Sequence, residues 1–239
     1  LKVRYLIKFS KESNIKFVSH LDLMRTLQKI VKRAELPIEY SQGFNPHMNI
    51  SIAQPLSVGM YSKGEYMDVV FSKELSNLYI KDKLNENSPS GIRFIEVVKI
   101  RKIGDNEKKI PQSMAAVDGA RYSIRIKYKD GSKIDEEIKA LPKMKQWNII
   151  KKGKSGEKEV DIKPMIKEFK FKIEDNTLNL QVLVSCGSRE NLSADLLSKF
   201  IQNNTSNANM DAFVQVEREE MYAIENKKYV PLYKCLGNM

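Results

Sequence analysis

The amino-acid sequence predicts an α+β protein built from two tandem ferredoxin-like (βαββαβ) domains, residues 1–100 and 120–239, joined by a linker at 101–119. Three observations carry this prediction. The order strand, helix, strand, strand, helix, strand runs through the first hundred residues. The same grammar returns after residue 120, without a residue-level repeat. Between the two lies a charged stretch broken by Gly104, Pro111 and Gly119. A length of 239 residues suits one large or two modest domains.

Each element has a local reason. Arg4 to Phe9 alternates, with Tyr5, Ile7 and Phe9 on one side, and reads as a strand. Lys11-Glu12-Ser13-Asn14 reads as a turn and Ile15 to Val18 as a short extension. Ser19-His20-Leu21-Asp22 is a capping box: the Ser19 hydroxyl accepts from the third helical N–H, and Asp22 reaches back. Leu21, Met24, Leu27, Ile30, Val31 and Ala34 follow as the buried stripe of a helix that Pro37 closes. Arg25, Lys29, Lys32 and Arg33 fall toward its other side. Ile50 to Ala53 and Tyr66 to Phe71 read as strands across a segment turning through Gly59 and Gly64. Leu75 to Leu84 is a helix and Ile92 to Ile100 a strand. In the second half, Tyr122 to Tyr128 is a strand and Ile134 to Leu141 a short helix. Phe169 to Ile173 and Leu178 to Val184 form a hairpin. Leu192 to Ile201 is a helix with Ser193 as its cap, and Phe213 to Tyr222 the last strand. Tyr229 to Met239 reads as a tail that docks through Tyr229, Leu232 and Tyr233.

Hydrophobic residues make up 41% of the chain, enough for a packed core. The apolar runs are too short to span a membrane, and residues 1 to 10 alternate rather than forming a secretory signal. The chain begins at Leu1 rather than Met, which leaves room for an upstream segment. Only Cys186 and Cys235 are present, without metal-ligand spacing, so a cytoplasmic protein with no metal and no cofactor is expected. The 41 Lys+Arg outweigh 30 Asp+Glu and give a net charge of +11. Such an excess favours a polyanion partner such as RNA, and a lysine-rich solvated surface accounts for it equally well.

One polar block stands out. It runs from Ser19 to Arg25 and resumes at Tyr40-Ser41-Gln42-Gly43-Phe44-Asn45-Pro46-His47, and it holds both histidines of the protein. His20, in the first turn of the helix, can act as a base, ligate a metal or donate to phosphate. Asp22 already has a capping role. Arg25 pairs with Asp22 or points its planar fork at phosphate. Lys29 extends a basic stripe or simply faces water. Gly43 is expected at positive φ, and Pro46 holds Asn45 extended. Phe44 stacks on a base or, more commonly for a loop aromatic, tucks into the core. The ligand or RNA-binding candidates are therefore His20, Asp22, Arg25, Lys29, Gln42, Gly43, Phe44, Asn45 and His47, with His20 and His47 the catalytic candidates. In the second half, Ser185-Cys186-Gly187-Ser188-Arg189 reads as a strand-to-helix connection, and Arg218, alone among acidic neighbours, as a buried ion-pair partner. No P-loop, dinucleotide fingerprint, HExxH or triad motif is present.

Phe17-Val18-Ser19-His20-Leu21-Asp22-Leu23-Met24-Arg25, Leu36-Pro37, Tyr40 to His47 and Gly64-Glu65-Tyr66-Met67-Asp68 resemble the radical-SAM-linked protein family, a bacterial domain of unknown function. Members often occur beside, or fused to, a radical S-adenosylmethionine protein with a B12-binding-like region. The resemblance covers nearly the whole chain and continues more weakly through Glu159 to Pro164 and Glu217 to Tyr222. Where the family often carries proline after the Asn-Pro-His step, Met48 stands here. The three-cysteine motif of a radical-SAM cluster is missing, so the resemblance implies a partner that does the radical chemistry. A looser, fold-level likeness is to the RNA-binding domains of CRISPR repeat-processing proteins.

Three readings follow, in this order. The first is a non-catalytic RNA-binding or adaptor module that presents RNA, tRNA or rRNA, to a radical SAM modifying enzyme. The second is a protein-interaction subunit without nucleic-acid contact. The third is a metal-independent endoribonuclease using His20 or His47.

Overall fold

A computed structural model describes residues 2–100, 110–153 and 156–237. The elements, in chain order, begin with β1 (Val3–Lys11), α1 (His20–Arg33), β2 (Ile50–Ile52), β3 (Tyr61–Phe71), α2 (Asn77–Glu86), β4 (Ile92–Ile100) and α3 (Ser113–Ala116). They continue through β5 (Gly119–Lys127), α4 (Ile134–Ala140), β6 (Asn148–Gly153), β7 (Gly156–Asp161), β8 (Ile166–Glu174) and β9 (Thr177–Ser185). The chain then forms α5 (Ala194–Asn203), β10 (Gln215–Glu225), β11 (Lys228–Pro231) and α6 (Leu232–Gly237). The result is α+β, and it divides into two compact units.

The first unit joins Leu1–Asp118 to Arg218–Met239. Here β1 lies between β4 and β3, antiparallel to both, and the short β2 runs antiparallel to β3 over Ile50 to Ile52. The strand β10 also pairs with β3, and β11 folds back on β10. Alternation sends Tyr5, Ile7 and Phe9 of β1 and Met67, Val69 and Phe71 of β3 to one core, where they meet Leu23, Leu27 and Ile30 of α1. On the other side of β1, Arg4 and Lys8 are spent internally. Arg4 donates to the carbonyls of Ile110 and Pro111. Lys8 pairs with Glu220 at 2.6 Å and sits over the Tyr233 ring of α6. The tail thus docks as expected: Leu232, Cys235 and Leu236 are buried.

The second unit, Gly119–Glu217, is continuous in sequence. Its sheet orders β5, β9 and β8, all antiparallel. The β8–β9 turn passes through Asp175 and Asn176, both at positive φ, as a tight hairpin requires. Trp147 stacks on Phe200 at 4.8 Å and meets Phe169 edge-on, and its indole N–H donates to the Leu141 carbonyl. Ser193 caps α5 by accepting the Leu196 N–H.

Several expectations change. Residues from Arg218 onward, read with the second domain, belong to the first unit. Of the 101–119 linker, 101–109 lie outside the described residues, and α3 falls within the rest. Its Ser113 is buried and donates through both N–H and hydroxyl to Asp68. Ile15 to Val18 is not extended: Ser13–Ile15 is a single 3-10 turn. The strand before Phe71 starts at Tyr61 and includes Gly64. A Cβ there would lie 2.6 Å from the Glu219 carbonyl oxygen, so this glycine serves close strand packing rather than a turn. The β6–β7 hairpin went unread because its apolar run, Ile149-Ile150, is too short amid lysines to alternate visibly.

Candidate functional site

The first helix presents one half of the predicted block. Ser19 has extended backbone, and its hydroxyl accepts the Asp22 N–H at 3.2 Å. The reciprocal contact differs from a standard capping box. The Ser19 hydroxyl donates to the Asp22 carboxylate at 2.7 Å, and Arg25 donates to its other oxygen at 3.0 Å. Those two hydrogen bonds, Ser19 first, hold the Asp22 carboxyl below its ordinary range. The Asp22–Arg25 pair is exposed on both sides, so it holds Arg25 only weakly. Leu21 is not in the core but 65% exposed. Arg25, Lys29, Lys32 and Arg33 are all exposed, and His20 is half-buried. The outer face of α1 is therefore a run of cations.

The second half of the block is a closed loop. Tyr40 and Met48 form an isolated antiparallel bridge. Above it, the Ser41 N–H donates to the His47 carbonyl at 2.8 Å, and the His47 N–H donates to the Ser41 hydroxyl at 2.9 Å. Gly43 sits at φ +126°, as its sequence position predicted. Gln42 to His47 are exposed throughout, and Phe44 is wholly so. The expectation that Phe44 tucks into the core is overturned. A seven-residue loop tied mouth to mouth has no inward path for a ring at its tip.

The two histidines do not share a site. The loop arms are anchored where Glu39 and Asn49 bond to Val70, and β2 runs from there toward Met67, so the loop leaves the edge of β3 beside Val70, near the strand's Phe71 end. The start of α1 is held at the other end: the Lys11 ammonium and the Gly59 N–H both donate to the Lys16 carbonyl, and Lys11 pairs with Ser62 in the β1–β3 ladder. From Ser62 to Val70 the strand covers roughly 25 Å at its usual rise. Among the described residues no hydrogen bond or ion pair joins the two imidazoles. Arg33, by contrast, closes α1 at the loop's end of the sheet, since the chain runs directly on to Ile38, which bridges to Phe71. The structure thus gathers Gln42, Gly43, Phe44, Asn45 and His47 in one loop. It leaves His20 and Asp22 at the far end of α1, with Arg25 and Lys29 between.

A buried polar cluster was legible only at Arg218. There the guanidinium donates to both oxygens of Glu65, at 2.8 and 2.5 Å, and to the Gln54 carbonyl at 2.8 Å. Beside it Lys11 is buried as well, and burial pushes its ammonium below the ordinary lysine range against the opposing pull of Glu65. Tyr66 donates to Glu220 at 2.7 Å, and burial, followed by that carboxylate, drives its hydroxyl far upward. Lys11 was read as a turn residue and Tyr66 as ordinary core, because neither motif nor spacing marks a buried ion. Among the described residues no group of three or more His, Cys, Asp or Glu is placed to hold a metal ion. No helix there is long and apolar enough to cross a membrane.

Comparison with known proteins bears on fold and family. Over 91% of its length the chain is similar to a chain of a Cbf5-Nop10-Gar1 complex, at 10% identity and a TM-score of 0.51. It spans about half of that chain, 48%, and the likeness is one of fold. A protein of unknown function from Galdieria sulphuraria is 11% identical, with 92% of this chain and 98% of that one covered and a TM-score of 0.27. No curated protein matches. A family model covers residues 4–194 of the 239, so the chain belongs to the uncharacterised proteins conserved in bacteria that form the family DUF2344.

Proposed function

We propose that this protein is a non-catalytic RNA-binding adaptor, cytoplasmic, that presents RNA such as tRNA or rRNA to a radical SAM modifying enzyme. We read it as two ferredoxin-like halves. The order β1-α1-β2-β3-α2-β4 supports this for the first half, and β5-α4-β8-β9-α5, with the β6–β7 hairpin inserted and only the Gln215–Glu217 start of β10 in that unit, supports it for the second. The observation that carries the function is the cationic face of α1, four exposed side chains without a strong internal partner, running toward the end of the sheet where the polar loop projects. Such a face suits phosphate, and the net charge of +11 suits a polyanion. The radical SAM partner follows from the family resemblance and from the missing cluster motif.

The test is binding of purified protein to tRNA and to an rRNA fragment across a salt series. Affinity should fall steeply with salt, and Arg25→Glu and Lys29→Glu should each weaken it several-fold and flatten the slope. Indifference to both RNAs at low salt would end this reading. The protein-interaction reading keeps one supporting observation. Phe17, Leu21 and Val58 are exposed near the start of α1, where Gly59 bonds to Lys16. Co-purification with a radical SAM protein from nuclease-treated lysate, by a protein that ignores RNA, would select it.

A further inference from the structure

We infer that the Ser41–His47 loop is a reader of a single unpaired RNA base, which stacks on Phe44 while α1 carries the flanking phosphates. This rests on the RNA-binding reading above and adds a substrate class to it: single-stranded or looped-out RNA rather than duplex.

Holding a whole phenyl ring in water forgoes about 1.5–3 kcal/mol of burial. The loop's closure by two hydrogen bonds and a bridge removes the option of folding the ring inward. The ring is thus displayed on a loop whose mouth is already closed, which removes part of the ordering cost of binding. Every base has a flat apolar face that matches such a ring.

Gln42, Asn45 and His47 flank the ring, all exposed, and no described side chain or backbone group takes a hydrogen bond from their side chains. Two amides and an imidazole supply donors and acceptors for a base edge. A protein-binding hot spot would set the aromatic among other apolar groups. Here the tip of the loop sets the ring beside Gln42, Asn45 and His47, and Pro46 is the one other apolar side chain among residues 42–47.

In an A-form duplex the bases are stacked on one another and the major groove is too deep and narrow for side chains. A ring at a loop tip reaches a base face only if that base is unpaired. The other route, stacking across the sheet of the first unit, is closed. Leu6 and Tyr66 are fully buried there, and Lys8 is held by Glu220 and Tyr233. Meanwhile Arg25 to Arg33 spans about 12 Å of helix rise, room for consecutive phosphates leading to the loop.

The experiment uses the full chain and its one native tryptophan. Trp147 is buried, so the indole added by Phe44→Trp is the exposed fluorophore. The probes are an unstructured RNA of about a dozen nucleotides and the same strand annealed to its complement. The expected result is quenching of the added indole by the single strand and not by the duplex. Phe44→Ala should then weaken single-strand binding about ten-fold, with duplex binding and thermal midpoint unchanged. If Phe44→Ala binds the single strand as tightly as the parent while Lys29→Glu/Arg33→Glu does not, the stacking site is wrong and the RNA-binding reading stands. Equal preference for duplex also overturns the inference. If the parent binds neither probe, nor tRNA at low salt, both fall together.

Discussion

Glu65, Arg218 and Lys11 put two cations and one anion into the interior of the first unit. Arg218 satisfies Glu65 with two charge-assisted hydrogen bonds, and the Lys11 ammonium donates to the Lys16 carbonyl at 3.0 Å. Burial lowers the Lys11 pKa, so the unfolded chain holds that proton more tightly than the folded one. Stability should therefore rise with pH between the lowered value and the ordinary 10.5, and below that window the full cost of burying the charge is present. Lys11→Met, which keeps the stem and removes the charge, should raise stability at neutral pH and flatten the alkaline rise relative to the parent. Urea denaturation at a series of pH values reads both. The Arg218 pairing was legible in the sequence because one basic residue among Glu217, Glu219 and Glu220 has few other uses. Lys11 was not, since a lysine at a strand end looks the same whether it turns in or out. Phe44 was misjudged for a related reason: apolarity signals the core only where the backbone offers a way into it.

At the level of elements, the cap and most of the stripe of α1 were readable, and Leu21 shows where such reading fails. At about 100° per residue, nine steps from Leu21 to Ile30 amount to roughly half a turn, so Leu21 stands opposite the buried line. Its hydrophobicity put it on the list, and its angle puts it beside Arg25 and Lys32. The loop from Ser41 to His47 depends on Gly43, whose φ of +126° any Cβ would strain although open space surrounds it. Gly43→Ala should therefore leave the thermal midpoint nearly unchanged, since the loop supports no core. It should distort the platform and weaken single-stranded RNA binding about ten-fold, measured by the same titration used for Phe44→Ala. The motif Gly64 to Asp68, one of the segments that carry the family resemblance, is accounted for by packing. Gly64 admits the Glu219–Glu220 backbone, Glu65 pairs with Arg218, Tyr66 with Glu220, and Asp68 with Ser113.

At the level of the molecule, composition read correctly for an α+β chain with a substantial core, and the element order was largely visible. What sequence order could not convey is membership. Contacts across more than 150 positions, such as Arg218 to Glu65 (|i−j| 153), leave no periodic trace in either partner's neighbourhood. The C-terminal residues therefore looked like the end of the second half, although they complete the first. A chain ending at residue 217 tests this. It loses Arg218, Glu220 and Leu232 and strands the Glu65 carboxylate without its cation, a loss of about 3–5 kcal/mol from that one group. The first unit should be unfolded by circular dichroism and hydrogen exchange, while amides of 119–217 stay protected. Equal protection in both units would contradict it.

That interleaving has a consequence for how the protein is made. When residue 118 leaves the ribosome the first unit still lacks most of β10 and all of β11 and α6, which emerge only after the roughly 100 residues of the second. At about 5–20 residues per second the wait is on the order of 5–20 s, during which the second unit has its complete sequence and the first does not. The first unit, with α1 and the Ser41–His47 loop already synthesised, is thus the later of the two to mature, and its assembly waits for residues 218–237.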